Sequence, residues 1–238
     1  MTVTIFIPCF MDATAPQAGM AMVQVLERLG HQVHFAQNAV CCGQPPFNSG
    51  YWDHARDIAR PILKTLAKAE AIVIPSGSCG AMLKKFYLEL FHGHPEHADT
   101  AALAPRVHEF TSFLVDHLGV TDLGARFPHR VTYHDGCHGL RELGLHAQAR
   151  TLLRHVRDLE LIEHSDTQTC CGFGGTFATK HASISTAMGQ VKCAAALQTG
   201  ADYLISADSS CLLHLQGLLT HQNQPLCTLH LAQVLASQ

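Results

Sequence analysis

The chain has few charged residues and no long run of apolar ones. Of its 238 residues only 15% are charged, and the formal net charge is −3. This balance gives no general attraction to nucleic acid or to an anionic membrane surface. No apolar stretch is long enough to cross a bilayer, and residues 1–10 lack the basic and long apolar segments of a signal peptide. We therefore expect a cytoplasmic protein with no nucleic-acid partner and no direct membrane insertion.

Several common catalytic signatures are also missing. No G-x-G-x-x-G follows a predicted strand with an acidic residue about twenty positions later, so a nicotinamide or flavin fingerprint is absent from the sequence. No phosphate loop, nucleophile elbow or pair of carboxylates stands out. The sequence therefore shows no means by which this chain alone could take a hydride from a substrate, and oxidoreductase activity is expected only together with partner subunits.

Cysteine, in contrast, is abundant. The composition is 47% hydrophobic, which is enough to build a core without disulfide bonds, yet the chain has 10 cysteines. Thiols in the cytoplasm are kept reduced, so a disulfide framework is not expected there. Metal binding or redox chemistry explains the cysteines better.

Eight of the ten cysteines form two quartets with matching spacing. Corresponding cysteines are separated by 128 (9 to 137), 129 (41 to 170 and 42 to 171) and 132 (79 to 211) residues. A nearly constant offset is typical of a duplicated domain. The first quartet is Cys9, Cys41, Cys42 and Cys79, and the second is Cys137, Cys170, Cys171 and Cys211.

The periodicity of apolar residues predicts alternating strands and helices in both halves. Predicted strands cover residues 3–8, 32–35, 71–75, 131–135, 159–162 and 203–206, with a late strand around Cys227; predicted helices cover residues 18–29, 51–69, 81–91, 106–118, 146–156 and 183–197. This order predicts an α/β fold with two pseudo-repeated, Rossmann-like parallel-sheet halves. We place the halves at residues 1–127 and 128–238, and expect the cysteine-bearing loops at the carboxyl ends of the strands.

Four thiolates complete either an iron–sulfur site or a zinc site. Zinc ribbons take their ligands from two close C-x2-C pairs, whereas these ligands lie tens of residues apart, so iron–sulfur chemistry is favoured. A thiol–disulfide relay through the adjacent pairs is disfavoured by geometry. The glycine after each pair, Gly43 or Gly172, would let the backbone turn sharply. Cys193 and Cys227 lie outside both quartets, and we expect them in the core.

Four segments carry a resemblance to a known family: CCGQPPFNSGY at 41–51, HDGCHGLRELG at 134–144, CCGFGGTFATK at 170–180 and ADSSCLLHL at 207–215. They resemble the cysteine-rich CCG domain family, and within it the iron–sulfur subunits of bacterial L-lactate utilization complexes. The cysteine-rich subunit of heterodisulfide reductase and the iron–sulfur subunit of glycolate oxidase are related. The resemblance implies an electron-transfer subunit that holds one or two [4Fe–4S] clusters on the eight cysteines and works with other iron–sulfur subunits of a lactate utilization complex. The alternatives are a heterodisulfide- or glycolate-type subunit, or a structural zinc-binding subunit, with zinc in one site or both.

One departure from that pattern concerns a fifth thiol in each half. In heterodisulfide reductase the motif ends in C-x-x-C, but its first cysteine is replaced here by Ser76 and Asp208. Four thiols per half favour a cubane [4Fe–4S] cluster over a noncubane one. Asp208 is expected to cap the following helix, with an oxygen ligand as the alternative. His138 and Arg141, beside Cys137, are candidate hydrogen-bond donors to a cluster, although most of the 18 histidines must be ordinary surface residues.

Overall fold

Two four-stranded parallel sheets form the framework of the molecule. A computed structural model describes residues 1–37 and 39–238. The first sheet has the order β2-β1-β3-β4 and the second the order β6-β5-β7-β8. The strands are β1 (Thr2–Ile5), β2 (Gln32–Phe35), β3 (Ala71–Ile74), β4 (Val107–Glu109), β5 (Arg130–Tyr133), β6 (Glu160–Leu161), β7 (Tyr203–Ser206) and β8 (Cys227–His230).

Helices connect the strands and cover the sheets. In the first half they are α1 (Cys9–Thr14), α2 (Pro16–Arg28), α3 (Gln44–Asn48), α4 (Trp52–Leu66), α5 (Gly77–Ala81), α6 (Tyr87–Leu90), α7 (His97–Leu103) and α8 (Phe110–Ser112). In the second half they are α9 (Cys137–Leu143), α10 (Ala147–Arg154), α11 (Thr176–Lys180), α12 (Ala182–Leu197), α13 (Ser209–His221) and α14 (Leu231–Ala236). None of the helices in the described residues is both long and apolar enough to cross a membrane.

The two sheets repeat one another in register. Val3 of β1 pairs in parallel with Val33 of β2, and Val131 of β5 pairs in parallel with Leu161 of β6. Val3 and Val131 are separated by the same 128 residues as the first cysteines of the quartets. All strand pairs in both sheets are parallel, as expected when helical crossovers connect successive strands. The predicted α/β fold with two Rossmann-like halves is confirmed.

The structure corrects the prediction at the end of the first half. Residues 106–118 were expected to form one helix, but Val107–Glu109 forms β4 and pairs with β3. Helical structure begins only at Phe110, where α8 continues into a π-helical turn over Phe113–His117. Helix α7, which begins at His97, was not among the predicted helices. The other predicted elements are present, with bounds that differ by a few residues.

One hydrophobic cluster contains residues of both halves. Helix α14 of the second half packs against α2 of the first, so Leu231 and Val234 lie in one buried cluster with Met22 and Val25. Helix α10 of the second half packs against α8 in the same way. Apolar surface is therefore buried between the halves as well as within each. The division into domains at residues 127 and 128 stays a prediction.

Candidate metal centre

The cysteines of both quartets lie at the carboxyl ends of the strands. Cys9 begins α1 just after β1, and Cys79 lies in α5 just after β3. The adjacent pair Cys41-Cys42 lies in the loop that follows β2. Because β1 and β3 are neighbours whose crossovers run to opposite sides, this edge is the switch point at which such sheets bind ligands. The second quartet follows β5, β6 and β7 in the same order, and four of the eight cysteines lie in helical first turns instead of loops.

The first quartet is gathered within contact distance. The sulfur atoms of Cys42 and Cys79 are 3.2 Å apart, and the Gly43 amide donates a 3.4 Å hydrogen bond to Cys41 Sγ. Hydrogen bonds from the Cys42 and Cys9 thiols lower the pKa of Cys41 to about 3. The hydroxyl of Tyr87 donates to the Cys42 carbonyl oxygen at 3.0 Å and fixes the loop. All four sulfurs therefore belong to one continuous group.

The second quartet has the same arrangement. Cys171 and Cys211 have sulfur atoms 2.9 Å apart, and the Gly172 amide donates a 3.4 Å hydrogen bond to Cys170 Sγ. Hydrogen bonds from the Cys137 and Cys171 thiols lower the pKa of Cys170 to about 2. Each half thus contains one thiolate that accepts hydrogen bonds from neighbouring thiols and from a glycine amide.

Two thiols that are hydrogen-bonded to each thiolate keep their protons. Hydrogen bonding to Cys41 raises the pKa of Cys9 and of Cys42, and burial raises both further. Hydrogen bonding to Cys170, with burial, raises the pKa of Cys137 and of Cys171 in the same way. Since metal ligands must be deprotonated, metal binding to either quartet would release protons.

A glycine with positive φ follows each cysteine pair, as predicted. Gly43 has φ +82° and Gly172 has φ +91°. A Cβ atom on Gly172 would lie 2.5 Å from the carbonyl oxygen of Ser185, which is closer than atoms can approach. The sharp turn lets two consecutive cysteines face one centre, and it also aims the glycine amide at a sulfur atom.

Both quartets line one cavity. It has a volume of about 590 Å³, and all eight cysteines contribute to its wall. Phe10 and Phe173 also line it, and their rings meet edge to face with centroids 5.1 Å apart, so an aromatic contact joins the halves beside the thiols. The sequence predicted one site in each half, but it did not predict that the two sites share a cavity.

The chemistry of these donors fits an iron–sulfur cluster in each half. Four thiols per half are the usual ligand set of a [4Fe–4S] cluster, and the adjoining cavity is many times the volume of a water molecule. The same four thiols also fit zinc.

The prediction that Asp208 caps its own helix is wrong. Asp208 occupies the N-cap position of α13, but its side chain makes no capping hydrogen bond there. Its Oδ1 atom accepts hydrogen bonds from Ser76 Oγ at 2.6 Å, Ser78 Oγ at 3.1 Å and the Ser78 amide at 3.3 Å. The donors of the first half therefore hold this carboxylate away from its own helix.

His134 is a buried histidine beside the second quartet. Its side chain is fully buried, and neither ring nitrogen has a hydrogen-bond partner among the described residues. Burial lowers the pKa of His134 to about 3, so the imidazole is neutral. A ring nitrogen of His134 and the sulfur atoms of Cys171 and Cys211 all lie within 4.8 Å of one another. His134 was not among the predicted site residues, although its position at the end of a buried strand was a usable signal.

The remaining candidates have different outcomes. His138 lines the cavity, with Nδ1 3.7 Å from the sulfur of Cys137, whereas Arg141 is exposed and makes no hydrogen bond to the described residues. Cys193 is fully buried, as predicted. Cys227 lies in a strand but is exposed, because it begins the edge strand β8, so the prediction that it belongs to the core is wrong.

Comparison with known proteins decides the family. The model of the cysteine-rich domain called CCG matches residues 3–84 and 131–216, which are the two halves of the duplication. The chain belongs to the cysteine-rich CCG domain family. The two matched segments contain all eight cysteines of the quartets.

Similar CCG proteins match the chain over its full length. Lactate utilization protein A of Geobacillus kaustophilus (strain HTA426) is 43% identical over 236 residues, covering 99% of this chain and 98% of that protein. Lactate utilization protein A 1 of Bacillus cereus (strain AH820) is 42% identical over 239 residues, covering 100% of both. The predicted resemblance to the CCG family and to lactate utilization proteins is confirmed.

Among solved structures, a hypothetical protein from Helicobacter pylori matches 98% of this chain with a TM-score of 0.58. The identity is 11%, so this likeness concerns the fold alone. The chain spans 48%, about half, of the length of that protein.

Proposed function

We propose that this CCG chain is an iron–sulfur electron-transfer subunit of an L-lactate-oxidising system. It would act in the cytoplasm together with other iron–sulfur subunits. The observation that carries the proposal is the convergence of two four-thiol sets on one cavity. Relatives named lactate utilization protein A support the choice of substrate system.

The residues present suit a cluster that gains and loses one electron. A [4Fe–4S] cluster, when bound, supplies one-electron transfer. The amides of Gly43 and Gly172 donate to sulfur atoms, and hydrogen bonds to sulfur ligands raise a cluster's potential. The phenyl rings of Phe10 and Phe173 restrict water at the cavity, which keeps the surroundings of the thiolates at low dielectric.

The proposed clusters are cubanes with four cysteine ligands each. The two positions that carry the fifth thiol in heterodisulfide reductase are Ser76 and Asp208, which hydrogen-bond to each other at 2.6 Å. That bond gives each of these two side chains a hydrogen-bond partner other than a metal. The replacement of the fifth thiol in both halves supports sites of four thiols each, and it argues against a heterodisulfide-reducing function for this chain.

Anaerobic reconstitution of the full chain with iron and sulfide tests the proposal. We expect about four irons and four sulfides per loaded quartet and a reducible cluster signal by electron paramagnetic resonance (EPR). Cys42→Ser and Cys171→Ser should each remove one quartet's iron, whereas Cys193→Ser should keep it. If only one half is loaded, we expect the second, because Gly174 and Gly175 extend its loop. Zinc without sulfide in both sites would overturn the proposal.

A structural zinc subunit is the second candidate function. The group formed by His134, Cys171 and Cys211 favours it, since mixed cysteine and histidine ligands are typical of zinc sites. Zinc analysis of the chain purified without reconstitution decides between the two. Zinc in the second site together with a cluster in the first would mean that each candidate function applies to one half of the molecule.

A further inference from the structure

The duplicated fold places different side chains beneath the two quartets. Phe6 and His134 are 128 residues apart and occupy the same position after the central strands β1 and β5. The Phe6 amide donates to the Val73 carbonyl at 3.0 Å, and the His134 amide donates to the Ile205 carbonyl at 2.8 Å. Both side chains are fully buried. A phenyl ring in the first half is therefore replaced by an imidazole in the second.

The two rings have different surroundings. Phe6 packs in the hydrophobic cluster that contains Cys42 and Cys79, where an apolar ring needs no partner. His134 lies by Cys171 and Cys211, and both of its nitrogens lack partners in the described part of the chain. A buried polar group without a partner costs about 1–3 kcal/mol, so an orphaned histidine at this place requires an explanation.

A second exchange accompanies the first. A Cβ on Gly43 would meet Ala55 and Ile58 of α4, and a Cβ on Gly172 would meet Ser185 and Met188 of α12, so these helices correspond with an offset of 130 residues. Applied along the helices, this offset pairs the positions Ile62 and Lys192.

Lys192 is a buried cation in the second half. Its side chain is 0% exposed, and Nζ donates to the Asp166 carbonyl oxygen and lies 3.4 Å from the Asp166 carboxylate. Burial lowers the pKa of Lys192, and the contact with Asp166 opposes that shift. The corresponding Ile62 is buried and apolar. At these two pairs of positions the second half therefore has the polar side chains of His134 and Lys192, where the first half has apolar ones.

We propose that the His134 imidazole is a nitrogen ligand of the metal in the second site, adding a fifth donor to its four thiols. Neutral imidazole is a common ligand for both iron and zinc, so the proposal holds for either metal. The first site has Phe6 at the corresponding position and would bind its metal through thiols alone. The proposal rests on metal binding by the second quartet, as set out under Proposed function.

Cobalt titration of the metal-free full chain tests the ligand directly. X-ray absorption of Co²⁺ bound to a Cys42→Ser variant, in which the first site is disabled, should show sulfur and nitrogen ligands. His134→Phe in that background should remove the nitrogen and weaken Co²⁺ binding about tenfold or more. This substitution installs the residue that the first half carries, so the fold should tolerate it. His138→Phe, which removes the histidine that lines the cavity beside Cys137, is the matched control and should keep the nitrogen.

Reconstitution with iron and sulfide separates this proposal from the proposed function. Pulsed EPR of the reduced cluster should show a directly bound ¹⁴N nucleus that His134→Phe abolishes and His138→Phe retains. Failure to incorporate sulfide would refute the iron–sulfur function, while the cobalt measurement would still decide the ligand. If the metal binds and neither method detects nitrogen, His134 is not a ligand and the proposal is overturned.

Discussion

Asp208 Oδ1, in the second half, accepts a 2.6 Å hydrogen bond from Ser76 Oγ, in the first. Ser76 Oγ in turn accepts a hydrogen bond from the Cys79 amide at 3.3 Å. A ligand-bearing turn of one half is therefore tied to a carboxylate of the other. The backbones of the halves also approach closely beside it, where a Cβ on Gly77 would come within 2.7 Å of Gly139 Cα.

Removing the Asp208 carboxylate should destabilise the chain. Asp208→Ala leaves Ser76 and Ser78 without their buried acceptor, so we expect the free energy of unfolding to fall by about 2–4 kcal/mol. A double-mutant cycle with Ser76→Ala should give a coupling energy of about 1–3 kcal/mol. Chemical denaturation measures both quantities. Asp122→Ala, which removes an exposed carboxylate with one local hydrogen bond, is the control and should cost about 0.5 kcal/mol or less.

Alkylation of the metal-free chain should begin at two cysteines. The pKa of Cys41 is about 3 and that of Cys170 about 2, so both are thiolates at about pH 6, the form that reacts with iodoacetamide. Peptide mass spectrometry in a Cys227→Ser background, which removes the exposed thiol, reads out the order. Cys193 should stay unmodified, since burial raises its pKa to about 11.

Metal loading should then protect Cys41 and Cys170 from the reagent. Equal labelling of all eight site cysteines in the metal-free chain would contradict the proton sharing within each quartet.

Gly172→Ala should disturb the second site more than an alanine placed at another glycine with positive φ, because the new Cβ would also clash. The new Cβ combines φ +91° with a 2.5 Å approach to the Ser185 carbonyl oxygen. We expect a loss of about 3 kcal/mol in unfolding free energy and lower iron content. Gly93→Ala, at φ +77° with no atom within 4 Å of its Cβ, should cost about 1 kcal/mol and leave iron content unchanged. Equal effects of the two changes would exclude a steric cause.

Glu109 should make stability fall as pH rises. Burial raises its pKa from 4.5 to about 7, although hydrogen bonds from Thr111 and Ser112 oppose the shift. The folded chain therefore binds this proton more tightly than the unfolded chain. Its contribution is fully present below pH 4.5 and is lost as pH rises through 7. Over that window it amounts to about 3 kcal/mol.

Glu109→Gln isolates the effect. Burial lowers the pKa of His134 to about 3 and that of His164 to about 4, which makes stability rise with pH over part of the same range. The histidine contributions are the same in variant and parent, so they cancel in the difference between the two free energies of unfolding. That difference should shift in favour of the variant by about 3 kcal/mol between about pH 4.5 and 7. Glu27→Gln, at an exposed site, is the comparison; a parallel trend there would refute the assignment to Glu109.

The duplicated fold was accessible from the sequence because its signals are local. Buried apolar runs such as residues 71–74 and the constant cysteine offset predicted parallel sheets and two quartets. Strand β4 was missed because Val107, Phe110, Phe113 and Leu114 are spaced as on a helix, while the strand itself has three residues. Pairing with β3 decides its conformation, and that contact lies more than thirty residues away along the chain.

The missed parts of the site depend on contacts between halves. Asp208 lies at the N-cap position that residue preferences predicted, but donors 130 and 132 residues earlier, at Ser78 and Ser76, take its carboxylate. No local pattern contains that information. His134 could have been predicted from the sequence, because aligning the halves by the cysteine offset places it opposite Phe6. The alignment shows a polar side chain where the other half has an apolar one.

The common cavity has a consequence for how electrons would load. If both quartets hold the clusters proposed above, the shared cavity places any charge gained by one cluster within the electrostatic range of the other. Filling should then be anticooperative, so that a redox titration shows two separated steps even if both centres are of one type. The two halves, which are repeats in the sequence, would together hold two electrons that are taken up one after the other.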